Sequence, residues 1–251
     1  MERARKSIWI LLAVAICMAA CATSSQVSTK KRAEAKRRLG IAYMAEGKDA
    51  AAFKELSEAQ KLNPDDPNVY YALGIFYFNK EKYDKAIESY NKCLELEPNF
   101  APVRNNLGLA YLAKGEYDTA IVHFKELTEN YIYGTPHYPL YGLGRAYYLK
   151  EEYVESEKYF QKALDLEPKY TPAMLGLGRI YIQTGKPEQA IAVLQKGIEI
   201  EPKYAELHFE LAKALALTHQ KKNALRSLEK VIELKPDSAM AKEAKELLRK
   251  R

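Results

Sequence analysis

Beyond residue 32 the apolar positions of this 251-residue chain recur with one period. A Leu is followed by Gly at Leu39-Gly40, Leu73-Gly74, Leu107-Gly108, Leu143-Gly144 and Leu177-Gly178, and by Ala at Leu211-Ala212. The intervals are 34, 34, 36, 34 and 34 residues. Four residues after each Leu stand Tyr43, Tyr77, Tyr111, Tyr147, Tyr181 and Leu215. Thirteen after it stands a small residue (Ala52, Ala86, Ala120, Ser156, Ala190, Ala224), and seventeen after it a large one (Leu56, Tyr90, Phe124, Phe160, Leu194, Leu228). Twenty-five after it come Pro64, Pro98, Pro168, Pro202 and Pro236, with Ile132 the exception. Offsets 0, +1 and +4 share one face of a helix, and +13, +17 and +20 share one face of a second. The pattern predicts an all-α chain of six helix-turn-helix repeats at 33–66, 67–100, 101–136, 137–170, 171–204 and 205–237. A capping helix follows at 238–251, with Ser238 as its N-cap. Small residues at Gly40 or Ala52 let paired helices approach closely, and Pro ends the second helix because it cannot continue a helix interior. Gly47, Gly115 and Gly185 fall at the turn inside a repeat, where glycine adopts a positive φ cheaply.

This register, six times over, resembles the tetratricopeptide repeat, from about residue 33 to the end. The resemblance implies a right-handed superhelical solenoid whose first helices line a concave groove for partner peptides. One such repeat cannot bury its apolar face alone, so stacking builds the core. Most of the 19 Tyr are then packing residues, Tyr90, Tyr170 and Tyr204 among them. Cys93 takes the small +20 slot filled elsewhere by Ala59 and Ala163, and reads as a packed thiol.

If 0, +1 and +4 face inward, then −2, +2, +5 and +6 face the groove. In repeat two these are Tyr71, Ile75, Phe78 and Asn79, and in repeat three Asn105, Leu109 and Leu112. Repeat four gives Tyr141, Arg145 and Tyr148; repeat five gives Leu175, Arg179 and Ile182; repeat six gives Phe209 and Lys213. A solvated face carries mostly Glu and Lys, whereas this mixed aromatic and aliphatic row suits a peptide or helix. About a third of the set is expected to pack against the next repeat instead. Chaperone-docking arrays of the family grip a C-terminal carboxylate with a basic residue and Asn. Here the corresponding positions hold Arg37, Ile41 and Ala72, so that clamp is broken.

The N-terminus reads as an address. Glu2 to Lys6 is charged and net basic, and Ile8 to Ala20 is an apolar run of signal-peptide length, short of the ~20 residues of a membrane span. It ends Met18-Ala19-Ala20-Cys21, which resembles the lipobox of bacterial lipoproteins, with Met18 where Leu is usual. The resemblance implies cleavage after residue 20, lipidation at Cys21 and a membrane contact through that lipid. Ala22, in place of Asp, resembles outer-membrane sorting, hence a periplasm-facing protein. A flexible tether is expected over 21–32. An ordinary signal peptide cut after Ala20, or an uncleaved anchor, is the plainer alternative.

Charge adds little. Net charge is +6 and spread out, so no basic block points to nucleic acid. Three Cys and four His leave little room for a disulfide framework or metal site. No phosphate loop, HExxH or paired CxxC is present, and the strings at Gly142–Arg145 and Gly176–Arg179 fall inside helices. His123, His137, His208 and His219 lie in different repeats with no triad or ligand spacing. We therefore expect no enzyme, no cofactor, no metal and no small-molecule substrate.

Two extra residues separate repeats three and four, within 128–139. The segment is turn-rich and aromatic, and its sharper reading is a joint between halves of three repeats that offers Tyr131, Tyr133 or Tyr138 to a partner. The plainer reading is a neutral insertion. A lipid-bearing Cys, six repeats and this long junction together resemble the type IV pilus pilotins. That resemblance implies capture of a secretin subunit, or of another pilus or envelope component, and promotion of ring assembly. A general periplasmic scaffold for envelope assembly or polysaccharide export, or an adaptor for an enzyme, would use the same groove with other cargo.

Overall fold

The computed structural model describes residues 27–129 and 134–249. The predicted lipid site at Cys21 and the junction residues Tyr131 and Tyr133 lie outside them. Among the described residues there is no strand, and the helices are α1 (27–45), α2 (Asp49–Leu62), α3 (Pro67–Asn79), α4 (Tyr83–Leu96), α5 (Ala101–Lys114), α6 (Tyr117–Thr128), α7 (His137–Leu149), α8 (Tyr153–Leu166), α9 (Thr171–Gln183), α10 (Pro187–Ile200), α11 (Ala205–Leu217), α12 (Lys221–Leu234) and α13 (Ala239–Arg249). They form six helical hairpins followed by a single helix. No helix among these residues is long and apolar enough to cross a membrane. Residues 27–32, expected in the tether, are instead helical: the run Lys30 to Lys36 consists of good helix formers with no Gly or Pro to stop α1.

The proline register explains the helix ends. The residue before a proline is pushed out of the helical region by the proline ring. Asn63, Glu97, Glu167, Glu201 and Lys235 accordingly end their helices with φ between −142° and −125°, just before Pro64, Pro98, Pro168, Pro202 and Pro236. Helix α6 has no such proline, and its C-cap Glu129 stays helical at φ −85°, ψ −15°. At the start of α13, Ser238 Oγ accepts a hydrogen bond from the Ala241 N–H at 3.0 Å, satisfying one donor of the exposed helix end.

The intra-repeat turn needs a left-handed residue. Gly47, Gly115 and Gly185 supply it with φ of 71°, 87° and 70°. The same register position holds Glu81, Glu151 and His219 in the other repeats, at φ 56°, 62° and 59°.

The chain divides into two compact units at Leu107 and Gly108. In the first, Ala52, Leu56, Ala59, Val69, Leu73 and Phe76 form the core. Gly40 lies against Leu56, and Gly74 lies directly under the Tyr90 ring. Leu39 differs from its equivalents: it is 41% exposed, whereas Leu73, Leu107, Leu143, Leu177 and Leu211 are buried. Offset 0 packs on the preceding repeat, as Leu73 does with Leu56 and Leu143 with Phe124.

The second unit is built on rings held between glycines. A Cβ on Gly108 would stand 2.7 Å from Phe124, and one on Gly142 would stand 2.6 Å from the same ring. Phe160 sits likewise between Gly144 and Gly176, each at 2.5 Å. The Gly-Leu-Gly-Arg strings are thus packing surfaces. Phe124 and Phe160, at +17 of their repeats, each fill the space left by a glycine of their own first helix and one of the next. Ser156 takes the small +13 slot, and its buried hydroxyl donates to Gly144 O at 2.7 Å.

This packing corrects the reading of the junction. Phe124 of α6 lies against Gly142 of α7, and one core cluster runs through Ile121, Phe124, Leu140 and Leu143. The division into units falls one repeat earlier, inside α5. The longer connection leaves Phe124 in register, so the insertion does not separate the helices it joins.

Candidate protein-binding groove

In the first unit the predicted groove residues divide by offset. Tyr71, at −2, is half-buried; its ring lies 5.2 Å from Phe100, and Asn106 Nδ2 donates to its hydroxyl at 3.4 Å. It joins one repeat to the next. Ile75 and Phe78 are half-buried, and Phe78 meets the Tyr83 ring edge-on at 5.7 Å. Asn79 is exposed. Asn105 keeps its Oδ1 buried with no hydrogen-bond partner among the described residues, an acceptor that costs stability until something donates to it.

In the second unit three predicted groove residues belong to the core. Leu112, Leu175 and Phe209 are 4%, 5% and 6% exposed. Leu175 joins Leu194, Leu207 and Leu211, and Phe209 joins Leu228, Val231 and Ala244. In this unit the −2 sides of α7 and α9 are turned toward the following first helix, which packs against them, and Phe209 of α11 packs with Ala244 of α13. Leu112, at +5, joins the cluster of Phe124, Leu143 and Tyr147. Tyr141, also at −2, is half-buried against Phe160 at 5.7 Å and Tyr170 at 5.3 Å. Leu109 packs at the edge of the same cluster.

The residues left facing outward are chiefly those at +2 and +5. Tyr141, Arg145, Tyr148, Leu175 and Arg179 line one cleft of about 130 Å³, floored by Phe160. A second cleft of about 650 Å³ is lined by Ile182, Lys213, Leu217, Leu228 and Leu247. Leu217 and Leu247 are exposed and were missed in the sequence. The signal was there for Leu247, which stands 34 residues after Lys213.

The charges are arranged around one carboxylate. Glu210 Oε1 accepts from Arg179 Nε at 2.9 Å, and its Oε2 lies 3.2 Å from Lys213 Nζ. Lys213 Nζ also sits 4.6 Å above the Phe209 ring, and the Arg145 guanidinium 5.8 Å above that of Tyr141. Burial pushes the Tyr148, Tyr170 and Tyr204 phenols above their ordinary pKa, so all three stay neutral. Tyr138, the junction residue that is described, is exposed, with its ring 4.2 Å from His137 and 5.8 Å from Tyr170. Among the described residues no group of His, Cys, Asp or Glu is arranged to hold a metal ion. His123 stacks on Tyr111 at 5.4 Å, and His208 Nε2 lies 2.9 Å from Pro202 O. What the arrangement offers is aromatic, aliphatic and cationic contact.

Family models for the tetratricopeptide repeat match residues 67–100, 99–169, 147–203 and 184–248, and a further TPR-repeat model matches 40–81. The chain is a tetratricopeptide-repeat protein. Such repeats are protein-interaction scaffolds, which agrees with a groove of this composition. Among solved structures this tetratricopeptide protein is similar to PilW, described as a widely conserved type IV pilus biogenesis factor. Identity is 19%, the TM-score is 0.76, and the match covers 84% of this chain and 97% of that one. It is similar also to Pseudomonas aeruginosa pilF, with 18% identity, a TM-score of 0.71, and coverage of 86% and 97%. A third similar structure is YrrB, described as a TPR protein with an unusual peptide-binding site, with 23% identity, a TM-score of 0.52, and coverage of 76% and 97%. At these identities the likeness is one of fold. No curated protein matches the sequence.

Proposed function

We propose that this chain is a lipid-anchored, non-enzymatic scaffold on the periplasmic face of the outer membrane, acting as a pilotin. Its groove captures a secretin subunit, and the lipid on Cys21 gives the complex a membrane address. One observation carries the reading: a lipobox-like Cys precedes a repeat array that matches PilW, a type IV pilus biogenesis factor, in fold over nearly its whole length. Tethering suits the role, because it raises the local concentration of bound subunits without adding contacts.

The test is an unheated gel of outer membranes from cells with and without the gene, blotted for the pilus secretin. The expected result is loss of the heat-sensitive multimer with persistence of monomer. An unchanged multimer overturns the pilotin reading, and crosslinking in intact cells then identifies the cargo of a more general envelope scaffold.

A further inference from the structure

The +2 register of the groove changes character along the chain. It holds Ile41, Ile75 and Leu109 in the first three repeats, and Arg145, Arg179 and Lys213 in the next three. The three cations stand on α7, α9 and α11, the first helices of consecutive repeats in the second unit. Among the described residues Glu210 is the carboxylate that ion-pairs with them, while Glu206, which also feels the Arg179 charge, pairs with Lys235. Glu210 pairs with both Arg179 and Lys213, and its side chain is 8% exposed, so it has nothing left to offer. Arg145 is exposed and has no carboxylate within ion-pair distance among the described residues. The row thus carries a positive excess centred on Arg145, and Tyr141, stacked beneath the Arg145 guanidinium, holds it at the mouth of the cleft.

We propose that this row captures an acidic segment of a partner protein, bound in the polyproline II conformation with carboxylates three residues apart. The spacing follows from two periods. Packed helices lie about 8–10 Å apart, so +2 residues of successive first helices recur at about that interval. A polyproline II chain makes one turn in three residues and rises about 3.1 Å per residue, which returns every third side chain to the same face after about 9 Å. Strand periodicity would turn the third side chain away. Aromatic walls suit such a chain, which has no internal hydrogen bonds and binds through flat surfaces. The proposal rests on the groove as a protein-binding surface and specifies the partner's chemistry.

The test is fluorescence anisotropy with the purified chain and a fluorescein-labelled peptide of repeated Glu-Pro-Ala triplets. Two controls are a Gln-Pro-Ala peptide and a peptide of the same composition with its Glu residues contiguous. Binding is expected for the first peptide only, and is expected to weaken as salt rises. Arg145→Ala is expected to weaken it about threefold to fivefold, the scale of an exposed ion pair, and Arg145→Glu to abolish it. Arg145 is exposed, so circular dichroism stays unchanged in both variants. Glu210→Gln, which frees two cations at nearly constant shape, is expected to tighten binding. No binding by the triplet peptide, equal binding by the contiguous one, or insensitivity to Arg145→Glu overturns the proposal. Any of these beside a gene-dependent secretin multimer leaves the pilotin reading standing; peptide binding beside an unchanged multimer removes that reading and keeps this one.

Discussion

Gly144 lies flush against the ring of Phe160: a Cβ placed on it would stand 2.5 Å from Phe160 Cδ1. The ring cannot retreat, because Gly176 of the next repeat lies against its other edge at the same separation. One bulky residue therefore sets the distance of two helices at once.

Gly144→Ala is accordingly expected to destabilise the protein. Alanine gains about 1 kcal/mol of helix propensity over glycine, and overpacking costs about 1–3 kcal/mol, so the steric loss prevails. Leucine in this slot would not help, since a Cβ on Gly178 would stand 2.5 Å from Leu194 as well; Phe160→Ala removes the ring and relieves the clash, and the double variant is expected to lose less than the two single losses added. Thermal midpoints by circular dichroism measure all three. Strict additivity would show that the two residues do not compete for one space.

Glu151→Gly is expected to stabilise. Glu151 holds a left-handed backbone at φ 62°, where its repeat equivalents Gly115 and Gly185 pay nothing for the Cβ. The cost of that conformation to an ordinary residue is about 1–2 kcal/mol, reduced by about 0.5–1 kcal/mol for glycine's greater freedom when unfolded. The net gain is read as a higher urea midpoint at unchanged slope.

Burial pushes the Cys93 thiol up to about 12. An unfolded thiol ionises near pH 8.5, so the folded state holds a proton that the unfolded state releases, and stability falls as pH rises past that value. Between pH 8 and pH 9.5 the wild-type thermal midpoint is expected to fall more than that of Cys93→Ala, whose methyl already fills this slot as Ala59 and Ala163. Tyr phenols titrate higher and leave this window to the thiol. Equal slopes would place Cys93 in contact with water.

Cys21→Ala is expected to abolish incorporation of radioactive palmitate and to release the protein from the membrane fraction. Labelling that survives the change would move lipidation elsewhere.

Helix ends, repeat register and tight packing sites were legible in the sequence because they are local or periodic. A proline restricts the residue before it, a glycine under a ring leaves its mark as Leu-Gly, and the 34-residue interval multiplies each signal. The unusual turn residues Glu81, Glu151 and His219 could be found only by laying them on Gly47, Gly115 and Gly185 in register.

The groove was legible only in part. A helical offset states which side of a helix a residue occupies, but not whether another helix lies there. Tertiary packing placed Leu175 against the following first helix and Phe209 against α13, and left Arg145 outside. It also brought Glu210 to Arg179, 31 residues away, which decides which cation of the row is free. By itself the sequence determined the repeats, their ends and the small positions where helices meet, since backbone restriction and helical period act over a few residues. The stacking of one repeat on the next decided which of those faces meets water and which charges meet each other, because burial and ion pairing depend on neighbours that no single repeat contains.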